Sequence, residues 1–319
     1  TLGGLETVRL SDPARQIEVS IVPALGNNAY EMTAGGKPVF WSPYKTLAEF
    51  AAKPTLLGNP FLWPWANRID GMAYWANGRK FILNPELGNF RVGPNHIPIH
   101  GLLAYTGRWK VIRAAAARGA AAVTSRIEFH RYPDWMAQFP FAHTVEMTYS
   151  LRGGALEVQA RIENLSSDPI PLCLGFHPYF QITDAPRESW QVHLPVSEKM
   201  LLSPRLIPTG EREPFDGSSP FPLGGRVFDD VFTGLRRDPD GFARFWVAGE
   251  KQKITVEFGP KYSTAVVYAP KGRNFICFEP MTAITNAFNA AQEGWYKDLQ
   301  SIPPGEAWQE IYRIRPEGF

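Results

Sequence analysis

The sequence predicts an all-β protein, a large antiparallel sandwich or barrel, and three observations carry that expectation. Runs in which apolar and polar residues alternate recur along the chain, glycine- and proline-rich turns separate them, and helical periodicity is nearly absent. A strand with period-two patterning buries one face and wets the other. Many such strands reach stability only by sharing a core between paired sheets.

Ile17, Val19 and Ile21 alternate with Gln16, Glu18 and Ser20, a half-buried strand closed by Pro23 and Gly26. Lys45 to Ala52 reads as one short helix. Tyr74-Trp75-Ala76 and Arg79-Lys80-Phe81 flank Asn77-Gly78, the pair that a two-residue hairpin turn prefers. Val123, Ser125, Ile127 and Phe129 continue the alternation. Pro133 to Pro140, with Trp135 and Phe139, reads as an exposed excursion suited to a pocket rim.

The clearest pattern follows. Val145, Met147, Tyr149 and Leu151 alternate with polar residues, Gly153-Gly154 turns the chain, and Leu156, Val158, Ala160 and Ile162 alternate back, which predicts a long antiparallel hairpin. Asn164 to Pro169 is a loop, and the strand leaving it carries His177. Trp190 to Leu194 gives another strand, and Ser203 to Gly225 reads as loop. Phe228 to Phe232, Ile254 to Phe258, Ala265 to Tyr268 and Phe275 to Thr282 complete the strand series. Strand patterns resume on both sides of every loop, so residues 1–319 read as one domain.

Composition narrows the function. A net charge of +2 with no basic run gives no footprint for nucleic acid or an anionic membrane, and small neutral partners fit better. Only Cys173 and Cys277 are present, which implies neither a disulfide framework nor a cysteine-rich metal site. No apolar run approaches a membrane span, and the N-terminus lacks the basic and apolar regions of a signal peptide. The expected compartment is the cytoplasm, with the periplasm as the alternative if a leader once preceded Thr1.

The chemistry-bearing residues stand in apolar company. His177 sits in Leu-Cys-Leu-Gly-Phe-His-Pro-Tyr-Phe, and Glu279 ends the apolar run Phe275 to Phe278; each directly precedes a proline. A glutamate in such a place wants a cationic partner, with Arg68 or Lys271 as candidates, or a task. Two proton carriers of different pKa are what general acid and base work requires. His96 and His100 have the spacing of helical metal ligands, but Pro98 between them argues against a helix and no third ligand is near, so a single working histidine at His100 is favoured over a metal. Nothing resembles a serine elbow, a phosphate loop or a dinucleotide fingerprint.

Taken in order, Asn67-Arg68-Ile69, His100-Gly101, His177-Pro178-Tyr179-Phe180, Asp229 with Phe232, and Glu279-Pro280 with Asn286-Ala287-Phe288-Asn289 resemble the aldose 1-epimerase (galactose mutarotase) family over residues 17–315. The resemblance implies an antiparallel β-sandwich of the galactose mutarotase type with a monosaccharide in an open cleft, and no metal or cofactor. It implies Glu279 as the base at the anomeric hydroxyl, His177 as the proton donor to the ring oxygen, and His100 as a second histidine near that oxygen. Asn67, Arg68 and Asp229 fall at hydroxyl-binding positions, with Asp230 as the fallback, and Trp63 or Trp65 is a candidate to stack on the sugar.

Trp63-Pro64-Trp65 is also similar to the hexose-6-phosphate 1-epimerase branch, whereas Asn67-Arg68-Ile69 favours an unphosphorylated sugar. Two other classes compete: a non-catalytic sugar-binding protein, which would not need Glu279 and His177 to converge, and a glycoside hydrolase using Glu279 with Asp229.

Overall fold

The computed structural model describes residues 4–93, 95–117, 119–215 and 219–319. Two large antiparallel sheets face each other, as the alternation requires. The first has nine strands in the order Lys110–Ala117, Ala120–Glu128, His143–Arg152, Ala155–Asn164, Ala307–Glu317, Lys253–Phe258, Ala243–Ala248, Gln191–His193 and Phe221–Pro222. The second, of eight strands, runs Pro208–Pro214, Glu198–Leu202, Phe228–Thr233, Thr264–Ala269, Ile276–Met281, Gly175–Phe176 and Phe61–Leu62, with Tyr179–Phe180 also paired to Ile276–Met281. A smaller sheet of four strands gathers Val8–Asp12, Ile17–Val22, Asn28–Ala34 and Lys37–Pro38.

The predicted hairpin forms in the expected register, with Val145 opposite Ile162 and Leu151 opposite Leu156. Gly153 and Gly154 take φ of 59° and 78°, and Asn77 and Gly78 take 51° and 72°, the left-handed pairs that a tight hairpin turn needs. Val145, Met147, Tyr149 and Leu151 all point into the core. Each contributes about 1.5–3 kcal/mol by leaving water, so a one-residue slip would expose the whole set. Between the sheets, Phe245 packs on Phe278 with centroids 5.9 Å apart and Phe176 on Tyr312 at 4.8 Å, joining both into one core cluster.

Three expectations need correction. Pro133 to Pro140 is not an exposed excursion: Trp135 and Phe139 are buried beside Phe129, and Gln138 is buried in a hydrogen-bonded contact with Asn84, although Asp134 and Trp135 do line the cleft that holds His100. The segment is short but anchored by two large rings, and their burial outweighs the loop signals of its prolines. Ser203 to Gly225 is not all loop, since Pro208–Pro214 pairs with Glu198–Leu202 at the sheet edge, where proline is tolerated; residues 216–218 of that stretch lie outside the described residues. The strand carrying His177 is broken, so that His177 and Pro178 join Gly175–Phe176 to Tyr179–Phe180. The short helix appears at Leu47–Ala52, capped by the Thr46 side chain. Among the described residues no helix is long and apolar enough to cross a membrane.

Candidate active site

Sheet register brings the two proton carriers together. Gly175 pairs with Met281 and Tyr179 with Cys277, which sets His177 opposite Glu279 on the same sheet face. His177 Nε2 lies 3.4 Å from Glu279 Oε1. The His177 backbone is held by its N–H donating to Pro60 O at 3.0 Å, and the ring stacks on Tyr179 at 4.7 Å with 2° between planes. Glu279 is not the last residue of its strand, as its neighbour Pro280 suggested, because Ile276–Met281 continues two residues further. Its near partner is His177 rather than Arg68 or Lys271.

His100 completes the cluster, its ring centroid 5.5 Å from that of His177. It is held in the left-handed region at φ 66°, and its N–H donates to Asn67 O at 2.8 Å. Gly101 follows at φ 66° with no room for a side chain, since a Cβ there would sit 2.2 Å from Trp63 O. At Gly101 the residue is therefore set by the backbone.

Asn67 and Arg68 approach from a loop at the sheet edge. Arg68 Nη1 donates to Asn67 Oδ1 at 2.8 Å, and Nη2 lies 3.8 Å from Asp229 Oδ2. The pleat separates the two aspartates as expected: Asp229 faces Arg68, while Asp230 pairs with Lys199 at 3.1 Å on the other face. Asn286 and Asn289 act one layer further out. Asn286 N–H donates to Arg68 O, its Oδ1 accepts from Asp70 N–H, and Asn289 Nδ2 donates to Asn286 Oδ1, each at 2.9 Å. That lock holds the loop carrying Arg68.

Burial sets the electrostatics. Glu279 is 1 % exposed and His177 and His100 are each 6 % exposed. Burial pushes the Glu279 carboxyl well up, reinforced by Asp229 and opposed by Arg68. Burial lowers His177 to about 3, with Arg91 and Arg68 adding to the shift, and lowers His100 in the same direction, with His177 next in weight. Asp229 is raised by burial against the pull of Arg68. Glu279 Oε2, His177 Nδ1 and His100 Nδ1 are buried and, among the described residues, have no hydrogen-bond partner. Three orphaned acceptors or donors at one spot, each costing about 1–3 kcal/mol, mark a surface built to meet a polar ligand.

Other sequence candidates fall elsewhere. Trp65 is 1 % exposed and packs on Phe90, and Trp63 donates from Nε1 to His143 Nε2 at 2.8 Å, so neither presents a ring face to a ligand. The aromatic surfaces beside the pair belong to Tyr179 and the partly exposed Tyr268, whose ring meets His177 edge-on at 5.9 Å. Tyr268 was legible only through register, two steps along its strand from Val266, the residue opposite Glu279. Arg91, which donates to Tyr105 Oη at 3.1 Å, lines a cleft of about 320 Å³ together with His100 and Tyr105. Its position at the start of a two-residue strand carried no sequence signal. His96 is exposed and, among the described residues, joins no group of three ligands with His100.

The chain has relatives of the same family and fold among known proteins. The family model described as Aldose 1-epimerase matches residues 21–315. Over 262 residues the chain is 23% identical to "Uncharacterized protein YphB" of Escherichia coli K12, covering 80% of this chain and 82% of that protein. A galactose mutarotase-like protein from Clostridium acetobutylicum has the same fold, with TM-score 0.84, 20% identity and 99% of each chain covered. Galactose 1-epimerase from Lactobacillus acidophilus NCFM superimposes with TM-score 0.77 at 14% identity, covering 99% of this chain and 95% of that one.

Proposed function

The chain belongs to the aldose 1-epimerase family, and from that premise we propose that it interconverts the α and β anomers of a free aldose by acid–base ring opening and re-closure. The observation that carries the proposal is the 3.4 Å approach of His177 Nε2 to Glu279 Oε1. Ring opening moves a proton off the anomeric hydroxyl and another onto the ring oxygen, and those two oxygens share one carbon. A base and an acid a few ångströms apart match that demand.

A protonated carboxyl beside a neutral imidazole holds the same number of protons as a carboxylate beside an imidazolium. In the ionic arrangement Glu279 takes the anomeric proton while His177 gives one to the ring oxygen. The C1–O5 bond breaks, the aldehyde forms, and the pair is left neutral. Rotation about C1–C2 turns the other carbonyl face to O5. Re-closure then runs the transfers backwards, with His177 accepting from the O5 hydroxyl and Glu279 returning a proton to O1.

His100 stands beside the ring oxygen as a further hydrogen-bonding partner. Asn67, Arg68 and Asp229 offer donors and an acceptor to the remaining hydroxyls, a role supported by the Asn286–Asn289 lock behind Arg68. The convergence of the pair favours an enzyme over a non-catalytic sugar-binding protein. A glycoside hydrolase is disfavoured, since Glu279 faces a histidine and Asp229 an arginine. The reading of the chain as one domain is supported by a core cluster that runs through both large sheets.

Polarimetry of freshly dissolved α-D-glucose and α-D-galactose tests the proposal. Acceleration by the wild-type protein and none by Glu279→Gln is the expected result. Acceleration with glucose 6-phosphate alone would move the substrate to the phosphorylated class, and no acceleration with any aldose would overturn the reading.

A further inference from the structure

The pair has a third neighbour that ring opening does not use. Cys277 precedes Glu279 by two residues on strand Ile276–Met281, so the pleat turns its thiol to the same face. Ligand atoms of His177, Cys277 and Glu279 all lie within 4.8 Å of one another, and all three residues are buried. We propose that these three side chains form a binding site for a borderline divalent cation of the zinc type, and that the cation competes with the sugar. The competition rests on the proposed reaction; the binding does not.

The donor set selects the cation class. One nitrogen, one sulfur and one carboxylate oxygen suit zinc and its neighbours, whereas magnesium and calcium take oxygen alone. Charge also fits: a thiolate and a carboxylate balance a divalent cation, and neutral imidazole adds none, so the buried site ends without net charge. Arg68, the nearby cation, is matched by Asp229 at 3.8 Å and leaves that balance intact. Among the described residues, Glu279 Oε2 and His177 Nδ1 have no hydrogen-bond partner to give up.

Cys277 and Glu279 share one strand and His177 is held by its pairing with that strand, so the ligands are pre-arranged. Tetrahedral bonds of about 2.0–2.3 Å need the widest ligand pair to close by roughly 1 Å, within the reach of side-chain rotation. Three protein ligands leave a fourth position for water. On binding, the Cys277 S–H and Glu279 O–H bonds break, the sulfur–metal and oxygen–metal bonds form, and both protons leave to solvent. A cation seated there occupies both groups that ring opening requires.

Cobalt(II) reports the site directly. Titrating it into the full chain is expected to raise the near-ultraviolet thiolate-to-cobalt charge-transfer band, and zinc(II) is expected to abolish that band by displacement. Cys277→Ser should lose the band and bind at least about tenfold more weakly, since losing a direct ligand exceeds the usual cost of losing an outer one. Cys173→Ser, which removes the other thiol, should keep it. In the mutarotation assay zinc(II) should inhibit the wild type at concentrations that leave the activity retained by Cys277→Ser unchanged. No band in the wild type, or a band that survives in Cys277→Ser, overturns the site. A band without any mutarotase activity upholds the site and removes the reaction.

Discussion

The protonation state of the pair in the free protein is open to an equilibrium measurement that needs no substrate. His177 is lowered by burial to about 3, whereas an unfolded histidine titrates near 6.5. Between those values the unfolded chain binds a proton that the native chain refuses, so His177 contributes stability above about pH 6.5 that is lost as pH falls towards 3. At pH 5 the loss is RT ln(1 + 10^1.5), about 2 kcal/mol, and at pH 7.5 it is close to zero.

His177→Asn removes that proton site. Its stability, followed by urea unfolding, should therefore fall less than that of wild type between pH 7.5 and pH 5, by about 2 kcal/mol. His143, also lowered to about 3, supplies the control: it lies in the core, where it accepts from Trp63 Nε1, and a His143→Gln variant should show the same relief. If His177→Asn keeps the full acid sensitivity of wild type, the native ring is already protonated. The resting pair would then be ionic, and the reasoning from burial would be refuted.

Five further outcomes follow from the geometry. Glu279→Gln should lower turnover by at least about 10²-fold, the usual worth of a positioned base, in stopped polarimetry. The same variant should gain stability over wild type as pH rises, because the stabilisation from the raised carboxyl is complete below its unfolded pKa and is lost as pH climbs through its folded pKa. Arg68→Ala should raise KM with little change in kcat, and an effect confined to kcat would contradict its binding role. Asn286→Gly keeps the left-handed backbone at φ 61° but removes the amide lock, so it should raise KM in the same direction with a smaller amplitude. Gly101→Ala should cost at least about 2 kcal/mol in thermal or urea unfolding, from a positive φ and a Cβ 2.2 Å from Trp63 O.

The fold was legible wherever one face of a strand is buried, because alternation is then written into the residues. Val145 to Ile162 shows this. Lys110–Ala117 shows the opposite: its residues are all exposed at the sheet edge, so nothing selects an alternating pattern, and its alanines favour helix over strand. Trp135 and Phe139 misled because prolines announce a turn without saying where its rings go. At the site, His177 and Glu279 stood out as ionisable groups in apolar runs, and Asn67, Arg68 and Asp229 through their motif order. Cys277, Tyr268 and Arg91 did not, since their place depends on strand register and loop packing that sequence spacing does not encode.

Burial of an acid and a base together looks at first like an obstacle to proton transfer, because it drives both towards their neutral forms. In this site it favours one side of the proposed reaction. The neutral pair is the state reached when the ring has opened, so the dry setting lowers the open-chain complex relative to the closed one. Arg68 opposes that bias by favouring the carboxylate, and Asp229 tempers Arg68 from 3.8 Å away. Asp229→Asn would leave Arg68 unmatched and remove a neighbour that raises Glu279, which shifts the pair towards its ionic form. Closed sugar should then be favoured over the aldehyde on the enzyme, and trapping of the bound open-chain form by a carbonyl reagent should fall. An increase in trapping would show that Asp229 acts on the sugar's hydroxyls alone and not on the charge of the pair.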